Sequence, residues 1–232
     1  MKVSELLTRL SYGELSGLSW SGEGNGIIDP TRIPQLLSLI NEGLLRLYAR
    51  FVLRESELVL EEQSYLTHYI LDFAHAHSNT ARPPLVPGYI VDTLHKPFQD
   101  DVIRIFEVYD VNRSKYPLND SDRPDSMYTP TPSTLQVIRP MQNRLLSIMY
   151  QAKPVPLTAV TDDVILPAVL EGALQAFVGH KVFHHMNGQE NAAKSVEHHS
   201  VYEDVCAQVT AMDLVNGSQS ATNRKFSRGG WR

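Results

Sequence analysis

Apolar positions along this chain change period twice. Near the start, Leu6, Leu7 and Leu10 mark a short amphipathic helix, which gives way to the turn-rich stretch SWSGEGNG around Gly22, Gly24 and Gly26. Ile33, Leu36, Leu37, Ile40, Leu44, Leu47 and Tyr48 then recur at helical spacing up to Arg50, predicting a helix with one core-facing stripe. Asp29-Pro30 suits its start. The carboxylate can accept hydrogen bonds from otherwise unpaired first-turn amides, and proline has no N–H to leave unsatisfied there.

From residue 51 to about residue 152 the helical period disappears. The runs FVLRESELVLEE, SYLTHYIL, DVIRIFEVYDV, STLQVIRP and RLLSIMYQA are short and separated by Pro-, Asn- and Asp-rich turns, the pattern of antiparallel strands. Two stretches, HSNTARPPLVPG and RSKYPLNDSDRPDSMYTPTPS, hold too many turn formers for long helices, and they are expected as surface loops or edges.

After KPVP the helical period returns. Thr161, Asp162 and Asp163 are expected to cap a helix with Pro167 in its first turn. Its apolar stripe is Leu170, Leu174, Phe177, Val178 and Val182, while Gly172, Ala173, Ala176 and Gly179 would admit another backbone closely. Asn187-Gly188 reads as a turn into a second helix over residues 189–214, with Ala192, Val196, His199, Tyr202, Val205, Cys206, Val209 and Met212 on its apolar side. The two form an αα-hairpin. Residues 217–232, GSQSATNRKFSRGGWR, have no apolar period and are expected to stay extended or disordered until a partner orders them.

The expected class is therefore α+β. Residues 1–50 and 158–216 form a helical core that includes the C-terminal αα-hairpin, residues 51–157 an antiparallel β-rich insertion, and residues 217–232 an extended tail.

Composition narrows the function classes. With 42% hydrophobic and 20% charged residues, the 232-residue chain has ordinary globular usage, which excludes a wholly disordered, collagenous or disulfide-scaffold protein. The net charge of −5 argues against a surface that binds nucleic acid throughout. That charge is unevenly divided: residues 217–232 carry four cations and no acid, so the first 216 residues carry −9. The single Cys206 has no internal disulfide partner and reads as a small core residue. The start of the chain lacks an apolar stretch of signal-peptide length, so secretion by that route is not expected. The most apolar stretch, residues 164–183, is interrupted by Pro167, Glu171, Gln175, His180 and Lys181 and reads as a buried helix rather than a membrane span.

Candidate chemistry is sparse. His180 and His184 share a helix face, with His185 beside them and His198 and His199 on the next helix, so a metal-dependent hydrolase built on the hairpin is one alternative. The metalloprotease pattern requires Glu directly after the first His, and Lys181 stands there. The bland alternative makes these histidines polar edges of a packed hairpin or interface contacts.

Glu61/Glu62 and Asp100/Asp101 would point to opposite strand faces, Asp162/Asp163 suits a helix start, and Glu55 and Glu57 read as a solvated face. The glycines of GEGNG follow no strand and read as loop. There is no G-x-S-x-G, Walker A or C-x-x-C motif. The expectation is a non-enzymatic protein with no catalytic residue, metal or cofactor.

The tail is built like a docking peptide. Arg224, Lys225, Arg228 and Arg232 supply charge and Phe226 and Trp231 aromatic anchors, which suits a protein partner. The same groups can pair with phosphates and stack on bases, leaving a DNA-binding accessory protein as another alternative.

Taken in order, the helix INEGLLRLYARFVL, the loop-rich insertion with DDVIRIFEVYD and YPLNDSDRPDSMYTPTPSTLQV, and the hairpin LPAVLEGALQAFVGHKVFHHMNGQENAAKSVEHHSVYEDVCAQV resemble the head-to-tail adaptor proteins of short-tailed bacteriophages. The likeness runs over roughly residues 27–216. It implies a structural virion protein, assembled in the host cytoplasm into a homo-oligomeric, dodecameric ring that joins the portal protein to tail tube or nozzle proteins while genomic DNA passes through. It further implies that the hairpin packs around the ring, the β insertion faces the tail, and the C-terminal segment reaches the portal. The acidic body suits a channel that does not grip DNA.

Overall fold

The computed structural model describes residues 1–16, 18, 20 and 27–215. The chain is α+β and separates into two compact units: residues 1–52 join the chain from Val155 onward in one, and Leu53–Pro154 form the other. No helix among the described residues is long and apolar enough to cross a membrane.

The first unit is helical. It holds α1 (Val3–Tyr12), α2 (Ile33–Arg50), α3 (Glu171–His184) and α4 (Gln189–Ala211). Asp29 caps as its position predicts: its carboxylate accepts from the Thr31 amide at 2.9 Å, starting a 3-10 turn at Pro30–Arg32 that runs into α2. Thr161 to Asp163 correct the expectation of a cap. Asp162 instead binds the Thr158 and Ala159 amides at 2.7 and 2.8 Å, and its carbonyl accepts from Val3. This segment thereby satisfies an N-terminal amide of α1, whereas α3 begins only at Glu171, after a 3-10 turn at Ala168–Leu170 that follows Pro167.

Helix α3 is the pivot of this unit. Ala173, Leu174, Ala176, Phe177, Val178, Gly179, Val182 and Phe183 are all buried, so apolar side chains cover most of its circumference and it contacts α1, α2 and α4. Small residues permit the close approaches. A Cβ on Gly43 of α2 would stand 2.7 Å from Leu174 and 2.8 Å from Phe177, and one on Gly179 would stand 3.1 Å from Glu14. Gly172 differs from the expectation, being exposed with nothing near it.

Helix α4 also departs from its predicted stripe. Ser195, Tyr202, Cys206 and Val209 are buried, but Ala192, His199 and Met212 are exposed and Val196 is 70% exposed. The helix packs on α3 and the turn before it, so only a narrow stripe is covered. Cys206 is fully buried as expected, and burial pushes its thiol pKa up. Gly188, at φ 114°, makes the turn between the helices.

The second unit is antiparallel β. One sheet has the order β3-β1-β8-β4-β5, formed by β1 (Glu55–Glu61), β3 (Ile90–Val91), β4 (Val102–Tyr109), β5 (Lys115–Tyr116) and β8 (Leu145–Ala152). A smaller sheet, β2-β7-β6, joins His68–Ile70, Thr134–Gln136 and Tyr128–Thr131. The Pro-rich stretch supplies β5 and β6, both at sheet edges, where Pro130 removes no required ladder bond.

Leu58 pairs with Ile148, and Leu60 with Leu146, so alternation sends these four into one core with Val108, Tyr150, Tyr69 and Leu135. Two register shifts interrupt β4 against β8, between Val102 and Arg104 and between Ile105 and Glu107. Polar staples complete the unit. Asp92 accepts from the Ser78 amide and hydroxyl and from the Phe98 amide at 2.8 Å, tying down residues 92–98. Burial opposes its ionisation, but these donors prevail and hold its carboxyl below the ordinary value.

Candidate functional site

The hairpin histidines do converge, in part. His180 and His184, one turn apart on α3, have ring centroids 5.8 Å apart, and His199 of α4 stacks on His180 at 4.8 Å. His185 meets His184 edge-on, while His198 stacks on Phe183. His180 Nδ1 lies 2.9 Å from the Ser195 carbonyl and 3.0 Å from its hydroxyl.

One ring nitrogen of His180 is thus occupied by α4 rather than free for a metal. No group of three or more His, Cys, Asp or Glu among the described residues is arranged to hold a metal ion. Burial, then the charges of His199, His184 and Lys181, lower the His180 pKa from the ordinary histidine value against the opposing bond to Ser195. The arrangement is that of a packed polar seam.

The paired acids divide between burial and solvent. Glu62 is fully buried and accepts from Arg144 Nε and Nη2 at 2.9 and 2.7 Å and from the Met141 amide at 2.7 Å. Asp101, also buried, accepts from the Tyr150 hydroxyl at 2.9 Å and lies 3.3 Å from Arg54. Burial, above all, pushes the Tyr150 phenol up to about 12. Their neighbours Glu61 and Asp100 are more exposed, but the split is not strand alternation: Glu62 follows the end of β1, and Asp100, at φ 54°, and Asp101 both precede β4. Both buried carboxylates are fully engaged in tying loops to strands.

Glu57 accepts from the Ser147 hydroxyl on the outer face of the larger sheet. A groove of about 660 Å³ opens there, lined by Glu57, Val59, Glu107, Tyr109, Leu145 and Met149 among others. Glu107 pairs with Lys115 and accepts from Tyr109, so the groove mixes one cation-paired carboxylate, and Glu57 bonded to a hydroxyl, with apolar side chains.

Exposed apolar groups stand on both units. On the helical unit they include Ile165, Val196, Val201 and Met212; on the β unit, Leu85 and Leu94 project from loops. The six residues expected to dock a partner, Arg224, Lys225, Phe226, Arg228, Trp231 and Arg232, lie outside the described residues. Sequence reasoning missed the Glu62–Arg144 pair because its members are 82 positions apart and Glu at a strand end ordinarily faces solvent. No protein-family model matches the chain, and no curated protein matches it significantly.

Proposed function

We propose that this chain is a head-to-tail adaptor of a short-tailed bacteriophage: a non-enzymatic virion protein at the head–tail junction, whose copies form a dodecameric ring between the portal and the tail tube or nozzle. The observation that supports this most is the layout of the chain. A helical unit drawn from residues 1–52 and the chain after Val155 is interrupted by a β unit with its own core. Separate cores let two surfaces serve two different partners without one being built at the expense of the other.

In this reading α3 supplies the rigid centre of each subunit, and the outer face of α4, with Val196 and Val201 exposed, packs on neighbouring copies in the ring. The loops of the β unit, including Leu85 and Leu94, meet tail components. The basic-aromatic segment 217–232 docks on the portal through Arg forks and the rings of Phe226 and Trp231. DNA passes without specific binding, because an acidic body repels phosphates.

The test is co-sedimentation with purified portal. The full chain should pellet with portal, and the version lacking residues 217–232 should keep its circular-dichroism spectrum while losing at least about tenfold in affinity, the scale of one anchor residue. Undiminished co-sedimentation of the shortened chain would remove the tail from the docking role.

A further inference from the structure

The hairpin seam is unusual in what it brings together. Three imidazoles meet where α3 crosses α4: His180, with His184 at 5.8 Å and His199 at 4.8 Å between ring centroids. A fourth, His185, lies against His184, and Tyr202 of α4 stacks beyond His199 at 6.2 Å. The Ser195 carbonyl can only accept, and its hydroxyl has the His180 carbonyl to donate to at 3.2 Å, which favours the His180 hydrogen on Nδ1, donated across the seam at 2.9 Å. Nε2 is then the atom that takes a further proton from solvent, converting a neutral ring into an imidazolium with its Ser195 bond still in place.

The surrounding charges do not welcome that proton. On α3, Lys181 adjoins His180 and is paired with Glu42 of α2 at 2.6 Å. Elsewhere on α2, Arg46 lies over the Phe177 ring at 5.2 Å, and Arg50 is paired with Glu203 of α4 at 2.7 Å. The segment after α1 contributes Glu14, which lies along Gly179 near His198. The charges acting most strongly on His180 are those of His199, His184 and Lys181, each cationic or able to become so.

We infer that His180 is a proton-sensitive latch across the α3–α4 seam, closed while its ring is neutral and loosened as it takes up a proton beside His184, His199 and Lys181. Ring stacking favours the closed seam at neutral pH. In acid an imidazolium at His180, the half-buried ring of the three, stands against the charges of His199, His184 and Lys181. The sign follows from linkage. The fold lowers the affinity of His180 for its proton, so this stabilisation is complete above the ordinary histidine value and is lost as pH falls through the lower folded value. The latch is independent of the adaptor reading, since it needs only the hairpin.

Hydrogen exchange of the full chain, followed by mass spectrometry between pH 7.5 and 5.5 and corrected for intrinsic exchange, tests this. Peptides from α3 and α4 should show roughly threefold more opening at pH 5.5, while β8 serves as the internal reference. The double variant H184Q/H199Q keeps the His180–Ser195 bond and should flatten that dependence. Equal pH dependence in wild type and double variant would overturn the latch, as would a His180 ring that titrates, by NMR, at or above the ordinary histidine value.

Discussion

The two units solve the same problem of burial with different materials. In the helical unit the closest contacts are made at glycines: Gly43 receives Leu174 and Phe177, and Gly179 receives the Glu14 methylenes and the His198 ring. In the β unit, the core of Leu58, Leu60, Leu146 and Ile148 is supplemented by buried carboxylates, each pinning a loop to a strand. The difference follows from the elements. Helices satisfy their own backbone and need only shape to pack, whereas a β unit with long Pro- and Asp-rich connections has many loop amides that need acceptors. Helical packing here should therefore respond to volume, and the β unit to charge.

The largest expected effect breaks the charge side. Glu62→Gln removes the anion that faces Arg144 and should cost about 3 kcal/mol, with the loss confined to β-unit amides in hydrogen exchange. If α3 amides lost protection equally, the two units would not be energetically distinct.

On the volume side, Gly43→Ala places a methyl group 2.7 Å from Leu174 and should cost about 1–3 kcal/mol, read as a lower denaturant midpoint with unchanged slope. A neutral or stabilising result would mean that α2 and α3 are not in close contact at Gly43.

A smaller effect sharpens the contrast through pH. The Asp92 carboxyl is held below its ordinary value, so its contribution is present above that value and disappears as pH falls through the lower folded value. Asp92→Asn should cost about 1 kcal/mol at pH 7. It should also flatten acid unfolding in thermal melts between pH 4 and 2, a range chosen to straddle the ordinary carboxylate value. The smallest change is expected at Arg9→Ala: its 2.6 Å pair with Glu171 has the Arg side chain 54% exposed, and chemical melts should shift by less than about 1 kcal/mol.

Much of the helical unit can be read from spacing because each helix repeats its burial. Leu36, Ile40, Leu44, Leu47 and Tyr48 all face the core as their period predicts, and Asp29 caps in place. Gly43 could not be read that way, since a glycine carries no hydrophobic signal and its role exists only once Leu174 and Phe177 are brought to it. Helix α4 buries fewer apolar residues than its spacing predicts, for the opposite reason. Val196 and Met212 are apolar, but a helix packed on one side buries only a narrow stripe.

In the β unit, alternation shows strands such as β1 and β8 but not the partner of Glu62, because the pairing spans 82 residues. The histidine seam was visible as a spacing of four on α3. Its convergence with His199 depends on the turn at Gly188, and the use of His180 Nδ1 by Ser195 on the rotation of α4 about α3. Residue spacing constrains neither.

In the proposed function, the chain assembles as a ring on a portal. Electron microscopy of the purified chain mixed with portal-bearing particles tests it most directly. A twelve-subunit ring bound at the portal vertex is the expected result. Particles whose portals remain bare at saturating protein would contradict it.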